Sequence, residues 1–281
     1  MIKRQYNICI VEPTGFKHAM VFREIAEALG YSFKGLGHDV ALQINQLSSD
    51  AINIIIGAHL LTPQDITGLP PQTIIVNAEP LSATNEEWRQ RTIDWLKAGV
   101  EIWDYSQANI DILRQIGGRA IKHLKLGYQP ELDRIPQAET QDIDVLFYGS
   151  INARRASVLD AMKARGLKVR TLFGVYGQER DAWIARSKVV LNMHYYESQI
   201  FEVVRVFYLL SNGIPVVGEV NGASTLIEKR FADGIVAASY DDLANVTADL
   251  LRDPARLMQQ RAIARESIRN YPQTIFTQEL I

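Results

Sequence analysis

The feature that most constrains this chain is a rhythm. Short runs rich in Val and Ile occur at residues 7–11, 52–57, 73–77, 102–105 and 121–126. They return at 144–148, 168–173, 188–193, 214–218 and 234–237. These runs are apolar without alternation, the pattern of strands buried on both faces. Helical periodicity fills the gaps: Phe22, Ile25, Ala26 and Leu29 fall on one face. Residues 88–96, 108–116, 156–164, 181–185, 202–210 and 243–251 also read as helix. Strands alternating with helices predict parallel α/β sheets. The 281 residues, 47% of them hydrophobic and 22% charged, suit two such units with full cores.

The stretch 127–142, with Pro130 and Pro136 and few apolar residues, reads as a linker. It predicts one Rossmann-like domain over residues 1–136 and a second over 137–262. A tail over 263–281, broken by Pro272, is expected to return to the first domain. Thirty basic against 32 acidic residues give a net charge of −2, which excludes nucleic-acid binding by bulk charge. The single cysteine, Cys9, excludes an internal disulfide and multi-cysteine metal sites. No apolar run reaches the ~20 residues of a membrane span, and the start of the chain reads as a strand and not a leader, so a cytoplasmic location is expected. Arg89, Arg91 and Lys97 would suit a membrane surface, but read first as a solvated helix face.

In parallel sheets, ligands gather outside the carboxyl ends of the strands. Five loops stand there, besides the turn that carries Glu79. After the first strand, Gly15 allows a tight turn beside Phe16, and Glu12 and His18 are candidate bases. Glu79, in Asn77-Ala78-Glu79-Pro80, is a third. After residue 148, Gly149 and Ser150 lead to a helix whose first turn carries Arg154 and Arg155. Cations there oppose the helix dipole, which a bound phosphate would explain; Arg154 is the leading candidate. Gly174 and Tyr176 could approach and stack on a flat ligand. The next buried run contains Asn192 near its end and is followed by His194, Tyr195, Tyr196 and Glu197. Glu202 and Arg205 then sit on a largely apolar helix. Either they pair with each other, or Glu202 binds ribose hydroxyls while Arg205 faces phosphate or holds Glu202. The fifth segment, Ser211–Ser224, contains Gly213, which reads as a helix stop, then a short strand starting at Pro215 that runs into a polar loop at Asn221 and Gly222. No strand is followed by G-x-G-x-x-G, so a dinucleotide-binding dehydrogenase is disfavoured.

The order S-N-G-I-P-V-V, N-G-A-S-T-L-I-E, D-G-I-V, then D-D-L-A-N-V-T-A-D-L-L-R-D-P-A-R-L resembles the C-terminal half of GT-B glycosyltransferases. It is most similar to the group 1, family 4-like set and its CgeB-like branch. The opening D-V-L-F-Y-G-S with two arginines is similar too, so the resemblance covers about residues 142–260. It implies two Rossmann-like domains with a cleft between them, and a sugar transferase (hexosyl or related) that uses a nucleotide-diphosphate sugar and a glycan or other hydroxyl acceptor. By that likeness Gly149–Arg154 would touch the diphosphate, Gly174 and Tyr176 the base, Glu202 the ribose, and the first domain the acceptor. Family members commonly carry a spaced pair of glutamates on the helix before Gly213. Ile200 and Tyr208 stand at those places here. No metal or other cofactor is expected, because arginines and helix N-termini can stabilise a leaving diphosphate. Asp142-Ile143-Asp144 precedes a strand and reads as a linker end, not a metal motif. A non-catalytic nucleotide-sugar or glycan-binding module and a nucleotide-sugar epimerase are the competing classes.

Overall fold

The Val- and Ile-rich runs become strands of two separate parallel sheets. The structure, a computed structural model, describes residues 2–61, 68–81, 86–118, 120–195 and 200–281. In the first part of the chain the elements are β1 (Gln5–Ile10), α1 (Arg23–Gly35), β2 (Asp39–Ile44), β3 (Ile52–Ile56), β4 (Thr73–Asn77), α2 (Glu86–Lys97), β5 (Glu101–Asp104), α3 (Gln107–Gln115) and β6 (Ile121–His123). The strand order is β2-β1-β3-β4-β5-β6, all parallel. Ile8, Ile10, Ile54, Ile55 and Ile56 are fully buried, because helices cover both faces of the central strands. Ile25, Ala26, Leu29 and Phe33 form the buried stripe of α1. On the other flank Trp95, Ile110 and Leu113 pack with Ile75 and Ile102. The edge strand β2 differs: its side chains are half-buried or exposed, as suits a strand with one neighbour.

The second part continues with β7 (Ile143–Tyr148), α4 (Ala153–Ala164), β8 (Val169–Leu172), α5 (Gly177–Ala185), β9 (Ser187–Asn192), α6 (Val203–Ser211), β10 (Val216–Glu219), α7 (Lys229–Ala232), β11 (Val236–Ala238), α8 (Leu243–Arg252) and α9 (Pro254–Arg269). Its sheet order is β11-β10-β9-β7-β8, again parallel. Asn152 caps α4 by accepting from the Arg155 N–H at 3.0 Å. Gly213, at φ +65, ends α6 as read from the sequence. Asp142 pairs with Arg186 and Asp144 with Lys188 at the amino-terminal edge, so both are structural charges.

A last helix, α10 (Gln273–Leu280), belongs to the first unit. Thr277 Oγ1 meets Ser32 Oγ at 2.7 Å, and Gln273 Oε1 accepts from the Gly127 N–H at 2.8 Å. The units are Met1–Gln129 with Gln273–Ile281, and Pro130–Pro272. The dividing point lies before the residue 137 suggested by composition. The backbone N–H groups of Arg134 and Ile135 both donate to Asn212 Oδ1 at 2.7 Å, which ties the proline-rich stretch to the second unit. Residues 263–269, expected in the tail, complete α9.

Both sheets reverse direction after their second strand. In the first unit the chain moves out to β2, then returns to the far side of β1; in the second it moves to β8, then to the far side of β7. The gaps beyond the carboxyl ends of β1 and β3, and of β7 and β9, are the switch points where such sheets bind ligands.

Candidate functional site

At the second switch point, three arginines and two carboxylates meet. Tyr148 ends β7 and Gly149 follows at φ +132. A side chain on Gly149 would place its Cβ 3.2 Å from Arg205 Nη2, so glycine keeps this turn open to the guanidinium. Arg155, 4% exposed, ties the loops together. Its Nη1 donates to the Ser150 carbonyl (2.9 Å), Nε to the His194 carbonyl (3.3 Å), Nη2 to the Met193 carbonyl, and Nη2 also to Glu202 Oε1 (3.1 Å). Burial, then the nearby charge of Arg205, brings its guanidinium down to about 10.

Arg154 faces elsewhere. It forms a two-pronged pair with Glu219, a residue with no exposed side-chain surface, and lies 3.9 Å over the Tyr240 ring. Burial alone would raise the Glu219 carboxyl; hydrogen bonds from Arg154, Asn221 and the His194 N–H hold it below its ordinary value. The pair with Glu219 raises Arg154 in turn. The cation expected to lead at the phosphate is therefore already engaged.

Glu202 stands at the N-cap of α6 and not within its helical face. No Glu202–Arg205 pair forms. Glu202 Oε2 instead lies 3.3 Å from Asn192 Nδ2 and 3.4 Å from His194 Nδ1. Arg205 Nη1 donates to Asn192 Oδ1 at 2.7 Å, while its Nε is buried with no partner among the described residues. Arg205 also lies over the rings of Tyr148 (5.1 Å) and Phe147 (5.7 Å). His194 is 1% exposed, and its two ring nitrogens make no hydrogen bond. Among the described residues, then, three guanidinium groups face two carboxylates, which leaves one positive charge over. Gly174 and Tyr176 lie at the same sheet edge, in the turn after β8, where Gly174 has φ +69 and Tyr176 precedes α5. Tyr196 and Glu197 are outside the described residues. Tyr208, at a position of the family's glutamate pair, is buried and donates to Asp181 Oδ2 at 2.6 Å.

The first unit gathers its own groups at the carboxyl edge. Glu12 and Asn45 exchange two hydrogen bonds (2.8 and 2.7 Å), with Asn45 at φ +55. Gly15 turns at φ +81, and the His18 ring stands edge-on to Phe16 at 5.4 Å. After β4, the Glu79 turn is clamped from below. Asn77 and Asn109 both donate to the Glu79 carbonyl, at 2.9 and 2.8 Å, and both donate to the fully buried Asp104. Burial pushes the Glu79 carboxyl up to about 7. His59, after β3, is held down to about 4 by burial and by Arg91, so it is neutral at pH 7. Among the described residues no group of three or more His, Cys, Asp or Glu could hold a metal ion, and no helix is long and apolar enough to cross a membrane.

No protein-family model matches the sequence. Uncharacterized proteins of Acanthamoeba polyphaga mimivirus are similar to it. L137 is 27% identical over 261 residues, 90% of this chain and 34% of that protein. L140 is 27% identical over 184 residues, 63% of this chain and 59% of that protein. The chain thus spans about a third of L137 and under two thirds of L140. Among solved structures, Anabaena Alr3699/HepE in complex with UDP and glucose superposes with a TM-score of 0.62, at 12% identity, over 98% of each chain. A glycosyltransferase from Rickettsia africae ESF-5 gives 0.56 at 10% identity, over 99% of this chain and 97% of that one. TarM gives 0.56 at 15% identity, over 83% of this chain and 54% of that one. This chain has the GT-B fold.

Within the second unit of this GT-B chain, sequence reasoning missed two groups that organise the edge. One is Arg155: it shares the first turn of α4 with Arg154, and their adjacent positions do not separate their roles. Glu219 ends a short GT-B strand as a charge in an apolar run, and that was the available signal. In the first unit the missed group is Asp104, a carboxylate that ends a buried strand in the same way.

Proposed function

We propose that this chain is a glycosyltransferase that moves a sugar from a nucleoside-diphosphate sugar to a hydroxyl acceptor. The observation that carries the reading is the Arg205 guanidinium. It has a buried, unpartnered Nε and lies against the bare turn at Gly149, at the carboxyl end of the β7/β9 switch point. HepE, which shares the fold, is described in complex with UDP and with UDP-glucose. A diphosphate beside Gly149 would meet Arg205 and the excess positive charge of the cluster. Those guanidinium groups would take up the charge that builds on the leaving diphosphate, so the proposed step asks for no metal. Glu202, held by Arg155 and Asn192, is left with an edge for ribose hydroxyls.

Glu79 is the proposed base. With its carboxyl near 7, it is half-ionised at neutral pH and well matched to accept a proton from an acceptor hydroxyl. His18 and Glu12 are the other candidates. If Glu79 is the base, the transfer rate rises with pH through about 7, and Glu79→Gln removes that limb of the profile.

The test is calorimetric titration with UDP, GDP and dTDP and their sugars. One nucleotide is expected to bind, with Arg205→Ala weakening it about ten- to a hundredfold, the loss of one or two hydrogen bonds to charge. Binding of none of them, or binding that ignores Arg205, would defeat the reading. Ile200 and Tyr208 at the positions of the glutamate pair favour a second reading, a module that binds the nucleotide sugar without transfer. Binding without sugar release or transfer would select it.

A further inference from the structure

The amino-terminal edge of the second sheet holds another cluster of positive charge. A cavity of about 560 Å³ opens there against one face of α9. Arg261, Arg265 and Arg269 line it from successive turns, and the segments before β9 and β10 close the other side through Ala185 and Ile214. Asp133 is shared between Arg265 (3.1 Å) and Arg269 (3.2 Å). Arg261 donates to Gln141 Oε1 at 2.7 Å and, among the described residues, has no carboxylate partner; burial lowers its proton affinity. Arg265 Nε is buried without a partner. Arg265 reaches this position because Gly213, at φ +65, has no side chain: a Cβ there would stand 3.3 Å from the guanidinium carbon. Among the described residues, Glu266, exposed at the rim, is the carboxylate of the lining itself.

We propose that this cavity is a second anion site that binds a small soluble phosphomonoester carrying hydroxyl groups. The phosphate would take the open donors of Arg261 and Arg265, whose planar forks suit its oxygens. The cavity is larger than a bare phosphate. Glu266 and Gln137 are among its other lining residues and would accept hydrogen bonds from the hydroxyls. This site stands at the opposite end of the strands from Gly149, so its occupancy does not depend on the proposed transfer.

The test is titration of the full chain with inorganic phosphate and with glycerol phosphate at constant ionic strength. Glycerol phosphate is expected to bind more tightly than phosphate. Arg261→Gln is expected to weaken both about tenfold, while Arg205→Ala changes them less than twofold. Arg261→Gln leaves both ion pairs to Asp133 in place, and an unchanged melting temperature without ligand checks that the fold survives. Arg265→Lys, which keeps the charge and loses the fork, is expected to fall between. No binding of either probe overturns the proposal, as does binding lost in Arg205→Ala and kept in Arg261→Gln. Retention on vesicles of phosphatidic acid in phosphatidylcholine, with no binding of the soluble probes, also overturns it by assigning the anion to a lipid headgroup.

Discussion

Arg155→Ala is expected to destabilise the second unit by about 3–5 kcal/mol, the cost of breaking a buried ion pair from one side. The side chain is 4% exposed and binds the Ser150, Met193 and His194 carbonyls as well as Glu202. It is the strut between the loop after β7 and the loop after β9. Alanine leaves a cavity between the Phe147 and Tyr195 rings, each 5.1 Å from the guanidinium, and strips Glu202 of its cation. Lysine is expected to restore only part of the loss, because one ammonium cannot span carbonyls on both loops. Urea unfolding followed through Trp183, the tryptophan of this unit, reads the effect. A loss below about 1 kcal/mol would show that Arg155 is solvated in solution and not a strut.

The second large effect is on pH. Every group that Asp104 touches among the described residues is a donor: Asn77 Nδ2 at 2.6 Å, the Ser106 N–H at 2.8 Å and Asn109 Nδ2 at 3.1 and 3.2 Å. Burial nevertheless pushes the carboxyl from its ordinary 3.8 up to about 7, against those hydrogen bonds. Between these values the unfolded chain has released the proton and the folded chain retains it. The stabilisation is therefore complete below pH 4 and is lost as pH rises to about 7, by up to about 1.4 kcal/mol per pH unit. Glu79, also raised, acts in the same direction. The first unit contains Trp88, Trp95 and Trp103, so its unfolding can be followed by fluorescence. Asp104→Asn should flatten the slope between pH 4 and 7. An unaltered slope would place the titration on another group.

Much of the fold was legible because buried parallel strands announce themselves. Residues 52–57 and 73–77 are dominated by Ile, Val and Thr, and the strands Ile52–Ile56 and Thr73–Asn77 follow them within a residue. Strand β2 was not among the apolar runs, since Asp39, Gln43 and its other exposed positions look outward from a sheet edge. The contacts within the site were less legible. Arg154 and Arg155 are neighbours in sequence, and nothing local tells which one turns to a carboxylate 65 positions away. The three-residue spacing of Glu202 and Arg205 suggested a helical pair. The chain enters α6 at Glu202 with ψ 66, outside helical geometry, and the carboxylate swings to Arg155 instead. Spacing predicts partners only while both residues stay in one element.

The return of α10 to the first unit bears on the order in which the protein is made. A ribosome releases β1 to β6 first, with Ser32 and Gly127 still lacking Thr277 and Gln273. The whole of Pro130–Pro272, a continuous stretch, is synthesised before those partners. The first unit to be begun can therefore be completed only after the last residue of the second has been synthesised.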